Sequence, residues 1–218
     1  MLSPEAARQL EDVIPPFLPV QKNITSKFAT HPAVHALHIL PSMIWAGAIP
    51  LQLHEGIRKQ HRTLHRLSGS LLMCAVVTMT CGYVLMETRG LLQGTGGPHE
   101  SLTQLWALRV VIVWFAITAA AAASLAIRGK FKSHRVWVYR HIASGIWVAV
   151  QRLLVIVCGM VHFTGLVDFS IERNKVAGFE IVGIIAYAVC VGWGEVVVRR
   201  LRHAQRAETE DALTSKSD

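Results

Sequence analysis

Residues 104–128 read QLWALRVVIVWFAITAAAAASLAIR, and apart from Arg109 near the start and Arg128 at the end the stretch is apolar. A helix needs about 20 mostly apolar residues to cross the hydrocarbon core of a bilayer, and this stretch supplies them. Four further stretches meet the same criterion: 33–53, 68–88, 141–165 and 178–198. The sequence therefore predicts an all-α integral membrane bundle of five transmembrane helices. Composition agrees, with 52% hydrophobic and 17% charged residues against about 25% charged in soluble domains. The same hydrophobicity excludes intrinsic disorder. No linker separates folded parts, so the predicted organisation is one domain. An extramembrane N-terminal arm (1–32) precedes the transmembrane region (33–198), and a basic, then polar tail (199–218) follows it. The arm carries Glu5, Glu11, Asp12 and a Pro15-Pro16 break, which is not the pattern of a signal peptide.

The net charge of +8 is explained by sidedness. Arg58, Lys59, Arg62 and Arg66 follow the first stretch. Arg128, Lys130, Lys132, Arg135 and Arg140 follow the third. Arg199, Arg200, Arg202, Arg206 and Lys216 follow the fifth, which together makes 14 of 22 basic residues. The positive-inside bias then predicts the N-terminus outside and the C-terminus cytoplasmic. Nucleic-acid binding has no place in this account. The expected partner is the lipid bilayer, with anionic lipid at the cytoplasmic loops. Asn23-Ile24-Thr25 forms a glycosylation sequon in the outside arm. The four cysteines lie in apolar runs with no CxxC pair, so they are expected to be buried small apolar residues rather than a disulfide or thiolate framework.

Eleven histidines are the main lead to function. His31, His35, His38, Ser42, Trp45, Ile49 and Gln52 share one helical face, expected to point into the bundle. His54, Arg58, His61 and His65 form one stripe if that segment is helical; a short charged connector is the alternative. His134, His141 and Arg152 share a face of the fourth helix. Arg152 sits deep in its span, where an arginine costs at least about 2.5 kcal/mol. Glu180 and Glu195 are its candidate counter-charges, and Arg109 is placed to pair with Glu180. Cations at the start of the second and fourth helices oppose the helix macrodipole. Something negative should compensate them: lipid phosphate, an acidic side chain or a cofactor carboxylate.

These residues resemble a family of membrane proteins grouped only as a domain of unknown function. Its pattern has a first-helix histidine, Pro-x-Gln, an arginine, HRxxG at the next helix, and later HRxWxxR before a helix containing an arginine. Here these are His38, Pro50-Leu51-Gln52, Arg58, His65-Arg66-Leu67-Ser68-Gly69, His134-Arg135-Val136-Trp137-Val138-Tyr139-Arg140 and Arg152. The resemblance covers about residues 35 to 155. Ser70 and Val138 depart from it, where the family usually has a basic residue and a methionine. More loosely, His65-Arg66-Leu67-Ser68-Gly69 is similar to the HRxSG start of haem-b anchor subunits of succinate dehydrogenase. The ascorbate-reducing cytochrome b family also sets histidine pairs in a helical bundle.

Three functions are expected from this. The first is binding of haem b for transmembrane electron transfer, which needs imidazoles from different helices at one iron. The inner pair would be His65 with His134 or His141, and the outer pair His38 with His162. Arg66, Arg135, Arg140 and Arg152 would meet the propionates, with Trp45, Trp106, Trp114, Tyr139 and Trp147 against the macrocycle. The second is a metal or proton transporter, although no acidic residue sits mid-span and Pro41 and Pro50 are the few breaks. The third is a non-catalytic scaffold or lipid adaptor. No nucleophile elbow, HExxH or phosphate loop is present; His54-Glu55 does not continue into HExxH.

Overall fold

The computed structural model describes residues 31–92 and 102–214, with Glu5, Gln9, Phe17, Leu18, Val20 and Phe28 of the arm. Of Glu172, Glu208, Thr209 and 211–214 it describes the backbone alone. The Asn23 sequon, His99 and residues 215–218 lie outside the described residues.

Among the described residues the fold is all-helical, with no strand. In chain order it contains α1 (Pro32–Leu53), α2 (Glu55–Gln60), α3 (Arg62–Thr88), α4 (Leu102–Ile127), α5 (Phe131–Val161) and α6 (Glu172–Thr214). Five of these are long and apolar enough to cross a membrane, α2 being the exception. By length and composition this is a multi-pass membrane protein. Large apolar side chains such as Leu71, Val77, Val113, Leu153, Ile181 and Val189 stand exposed on the outside of the bundle, which is the surface a lipid tail covers.

Three helices run further than the apolar stretches predict, each at its basic end. α3 starts at Arg62 rather than 68, α5 at Phe131 rather than 141, and α6 continues to Thr214. Hydropathy marks the part a helix hides in hydrocarbon. The helix itself continues where lysine and arginine heads reach water beyond their apolar stems. His65-Arg66 and His134–His141 therefore lie inside helices. His141 is ten residues into α5, about 15 Å from its start at 1.5 Å per residue. The basic connectors gather at one end of the bundle, where Gln205 of α6 donates to the Lys132 carbonyl at 3.4 Å.

The stripe drawn through His54, Arg58, His61 and His65 is broken twice. His54 has extended backbone (ψ 118°), and its Nδ1 accepts the Ile57 N–H at 3.3 Å, capping α2. His61 leaves helical geometry again (φ −119°, ψ 60°) before α3. The charged-connector reading is the one the fold adopts.

α1 carries one irregularity. Residues His35–Ile39 form a π-turn, in which the Leu40 N–H bonds the His35 carbonyl five residues back. Pro41 explains it: proline cannot donate, and its ring crowds the carbonyl four residues earlier, so the turn ahead of it widens. Gly82 of α3 faces this turn. A Cβ there would collide with the Leu37 carbonyl and the His38 Cβ, so only glycine lets the two backbones approach this closely. The main apolar cluster joins Trp45 and Ala48 of α1, Leu72, Ala75 and Val76 of α3, and Phe115 and Ala119 of α4. A second joins Val155 of α5 to Phe179 and Val182 of α6.

The cysteines differ from expectation. All four are free, Cys190 is buried and Cys158 half-buried, but Cys74 and Cys81 are exposed on the outer face of α3. Their apolar neighbourhood in sequence is the lipid-facing surface, not the core.

Candidate functional site

A cavity of about 1130 Å³ opens between α1, α3, α4, α5 and α6. Its walls are mostly apolar and include Trp45, Trp106, Phe115, Trp147 and Phe179. Its polar lining includes His38, Ser42, Tyr83, Gln151, Arg152 and Glu180. Of the residues singled out in the sequence it takes in His38 and Arg152. It does not take in His65, Arg66, His134, Arg135, Arg140, His141 or His162.

His38 is held by the widened turn of α1 against α3. Its Nδ1 lies 3.2 Å from the Met79 carbonyl, an atom that can only accept, so Nδ1 carries the hydrogen and Nε2 keeps its lone pair. Ser42 Oγ donates to the His38 carbonyl at 2.5 Å and satisfies one of the acceptors the π-turn and Pro41 leave loose. Arg152 enters from α5. Its guanidinium lies 5.3 Å from the Phe179 ring centre, and it forms no ion pair among the described residues. The side chain is open to the cavity while the bundle surrounds it.

Two of the pairings expected for these arginines are different in the fold. Glu195 binds Arg140, not Arg152, through two bonds of 2.6 and 2.9 Å, and the Trp137 ring lies 5.0 Å from the Arg140 guanidinium. Arg109 binds Glu87 of α3, not Glu180: its Nε donates at 2.7 Å. Spacing along one helix shows which face a charge occupies, but not which neighbouring helix meets that face.

His141 is not at a helix start but at the centre of the bundle, 4% exposed. The Trp45 indole N–H donates to its Nε2 at 2.9 Å. Nε2 is therefore the acceptor and Nδ1 carries the hydrogen, directed at the Phe115 carbonyl and Thr118 Oγ1, each 3.3 Å away. Ser144 Oγ donates to the His141 carbonyl at 2.7 Å. Both ring nitrogens are occupied, and the group ties α1, α4 and α5 together. The indole had been an expected macrocycle wall; its polar edge has this second role.

The Pro-x-Gln and HRxxG motifs meet in space. Gln52 Nε2 donates to the His65 carbonyl at 2.7 Å and to Ser68 Oγ at 2.6 Å, with the amide lying beside Gly69. The motif pair is a clasp between α1 and α3. His134 Nδ1 donates to the Ala122 carbonyl at 2.8 Å, fastening α5 to the end of α4. His65 lies within electrostatic reach of His134 and of Arg58. His65 Nδ1 and Arg135 Nε are buried without a hydrogen-bond partner. Arg66 is exposed.

His162 lies at the opposite end, in the single 3₁₀ turn after α5. Its Nδ1 accepts the Phe169 N–H at 3.1 Å. An atom in that role carries no hydrogen, so the 3.7 Å approach to Asp168 is not an ion pair in this arrangement. Hydrogen bonds from Ser170 hold the Asp168 carboxyl below its ordinary range.

The fold and cavity define the class: a helical bundle with five helices long and apolar enough to cross a membrane and a mostly apolar cavity among them. Compared with known proteins, the chain matches no family model, and no curated protein or solved structure is significantly similar to it. The functional reading therefore rests on the residues.

Proposed function

We propose that the chain is a multi-pass membrane protein, basic end cytoplasmic, that binds haem b in the central cavity for electron transfer. The observation that carries the reading is His38: a histidine on a cavity wall with one ring nitrogen bonded to a backbone carbonyl and the other left as a lone pair. Metal-ligating histidines are typically oriented in this way. The cavity volume, about 1130 Å³, lies just above the ~300–1,000 Å³ typical of small-molecule sites. Its aromatic and aliphatic walls suit a flat apolar ring.

The chain's own residues would act as follows. The Met79 carbonyl fixes the His38 tautomer, and Nε2 is the donor atom for iron. Arg152 meets a propionate, which supplies the anion this arginine lacks. The apolar walls keep water from the ring. Bound haem supplies a one-electron couple at its iron. Of the three histidine pairings considered from sequence, the two that use His141 or His162 lose an acceptor nitrogen, and His65 with His134 lies outside the cavity. The geometry favours a site with one histidine from the cavity wall.

The test is the visible spectrum of the purified protein in detergent, oxidised and reduced, with extraction of any haem. The expected result is a Soret band lost in His38→Ala and kept in folded His65→Ala and His134→Ala. Loss in the latter two with retention in His38→Ala would move the site to the basic end. A protein that stays colourless after growth with excess haem overturns the reading. Among the described residues no three His, Cys, Asp or Glu side chains cluster closely enough to hold a metal ion; bound metal found by elemental analysis would favour the transporter reading instead.

A further inference from the structure

The basic end of the bundle has an unbalanced charge that the cavity does not address. α3 and α5 both begin there, and the start of a helix already carries partial positive charge. Yet these starts bear His65, Arg66, His134 and Arg135, and the α2 connector adds Arg58 and Lys59. Among the described residues the acid seen to act on this cluster is Glu55, an exposed side chain already bound to Lys59 at 2.7 Å and within 3.8 Å of Arg58. Lys59 first, then Arg58 and Arg135, hold the Glu55 carboxyl below its usual range. One carboxylate shared among three cations does not neutralise the cluster.

The hydrogen bonding is incomplete in the same place. His65 Nδ1 on α3 and Arg135 Nε on α5 are buried and unpartnered. A buried polar atom left without a partner costs about 1–3 kcal/mol, so two such atoms on half-buried side chains of one charged cluster mark a place where an acceptor belongs. The backbone around them is pinned by the Gln52 clasp and by the His134–Ala122 bond.

We infer that Arg58, His65, His134 and Arg135 form a seat for a phosphate group on a membrane lipid, a multiply charged phosphomonoester headgroup in particular. A phosphate offers three or more strong acceptors and binds arginine through charge-assisted bonds. His65 and Arg135 lie close to the ends of membrane-length helices, the level at which headgroups sit. A doubly charged phosphomonoester matches the excess of cations better than the single charge of a diester or a carboxylate. This seat is independent of the haem reading.

The experiment uses the full chain in nanodiscs of three compositions: phosphatidylcholine alone, with phosphatidylserine, and with phosphatidic acid at equal total lipid charge. Stability is read by intrinsic tryptophan fluorescence on heating, and affinity by titrating a fluorescent phosphatidic acid. Phosphatidic acid should raise the melting temperature more than phosphatidylserine. Arg135→Gln should weaken its binding at least tenfold, Arg58→Gln should do so several-fold, and Arg200→Gln on α6 should leave it within twofold. Millimolar inorganic phosphate should compete weakly. Equal effects of phosphatidic acid and phosphatidylserine, or wild-type binding by folded Arg135→Gln and Arg58→Gln, overturn the proposal. Inorganic phosphate binding as tightly as the lipid overturns the lipid as its source. Because the readout is lipid binding, a colourless protein leaves this test intact.

Discussion

The hydrogen bond between Trp45 and His141 can be weighed by a double-mutant cycle. The two side chains are 5% and 4% exposed, and the indole N–H reaches Nε2 at 2.9 Å. Trp45→Phe keeps an aromatic ring in the main apolar cluster but removes the donor, leaving a buried acceptor unsatisfied at a cost of about 1–3 kcal/mol. His141→Leu removes the acceptor and strands the indole N–H, while the Thr118 hydroxyl keeps its bond to the Phe115 carbonyl, so it should cost a similar amount. In membrane proteins the coupling across such a bond averages about 0.6 and reaches about 1.7 kcal/mol. This bond is short and fully enclosed, which places the expected coupling at about 1–1.7 kcal/mol on that scale. The assay is reversible unfolding in mixed micelles for the wild type, both single variants and the double variant. The double variant should be less destabilised than the two single effects combined. A coupling within about 0.3 kcal/mol of zero, inside the usual additivity error, would refute the clamp. So would loss of haem absorption in a folded His141→Leu protein, which would make His141 a ligand.

Three further outcomes follow from the geometry. Glu195→Gln should strand Arg140 and cost about 1–3 kcal/mol, toward the lower end because Glu195 is 38% exposed and solvent screens the pair; unfolding in micelles measures it, and an unchanged midpoint would contradict it. Gly82→Ala should cost about 1–3 kcal/mol by overpacking, and it should also shift any haem spectrum, since the backbone it pushes is that of His38. The turn at 162–171 should loosen in acid. Asp168 is held below its ordinary range, so its contribution is fully present above the unfolded carboxyl pKa and disappears as pH falls through the lower, folded value. Hydrogen exchange at the Ser170 amide should rise over that window, and Asp168→Asn should remove the pH dependence.

The five long apolar helices were legible because a hydrocarbon layer would impose a length and a composition on any helix that spans it. The inward face of α1 was legible too, since His38, Trp45 and Gln52 all reach partners on other helices. What escaped the sequence was partnership. Nothing in the spacing of Arg109 indicates that α3, through Glu87, meets it rather than α6. Nothing around Glu195 shows that Arg140 reaches it first. The ends of α3, α5 and α6 were misplaced because basic residues end a hydrophobic stretch without ending a helix. Pro41 was noted as a break, and its effect, a widened turn that sets His38 against Met79, needed the facing glycine of α3 to become visible. His141 showed most clearly the limit of counting histidines. Its position among apolar residues looked like a ligand's, and its neighbours turn out to be an indole and a hydroxyl.

The length of α6 has a mechanical consequence. At 1.5 Å per residue its 43 residues make a rod of about 65 Å, roughly twice the ~30 Å of a hydrocarbon core. The part that follows the apolar stretch at the basic end, 199–214, reaches past the Gln205–Lys132 contact as a mast of set height. Anything attached to it is carried at a defined distance and azimuth from the bundle. Deleting one residue from the mast turns its tip by about 100° and lowers it by about 1.5 Å, whereas deleting seven lowers it by about 10 Å and nearly restores its heading.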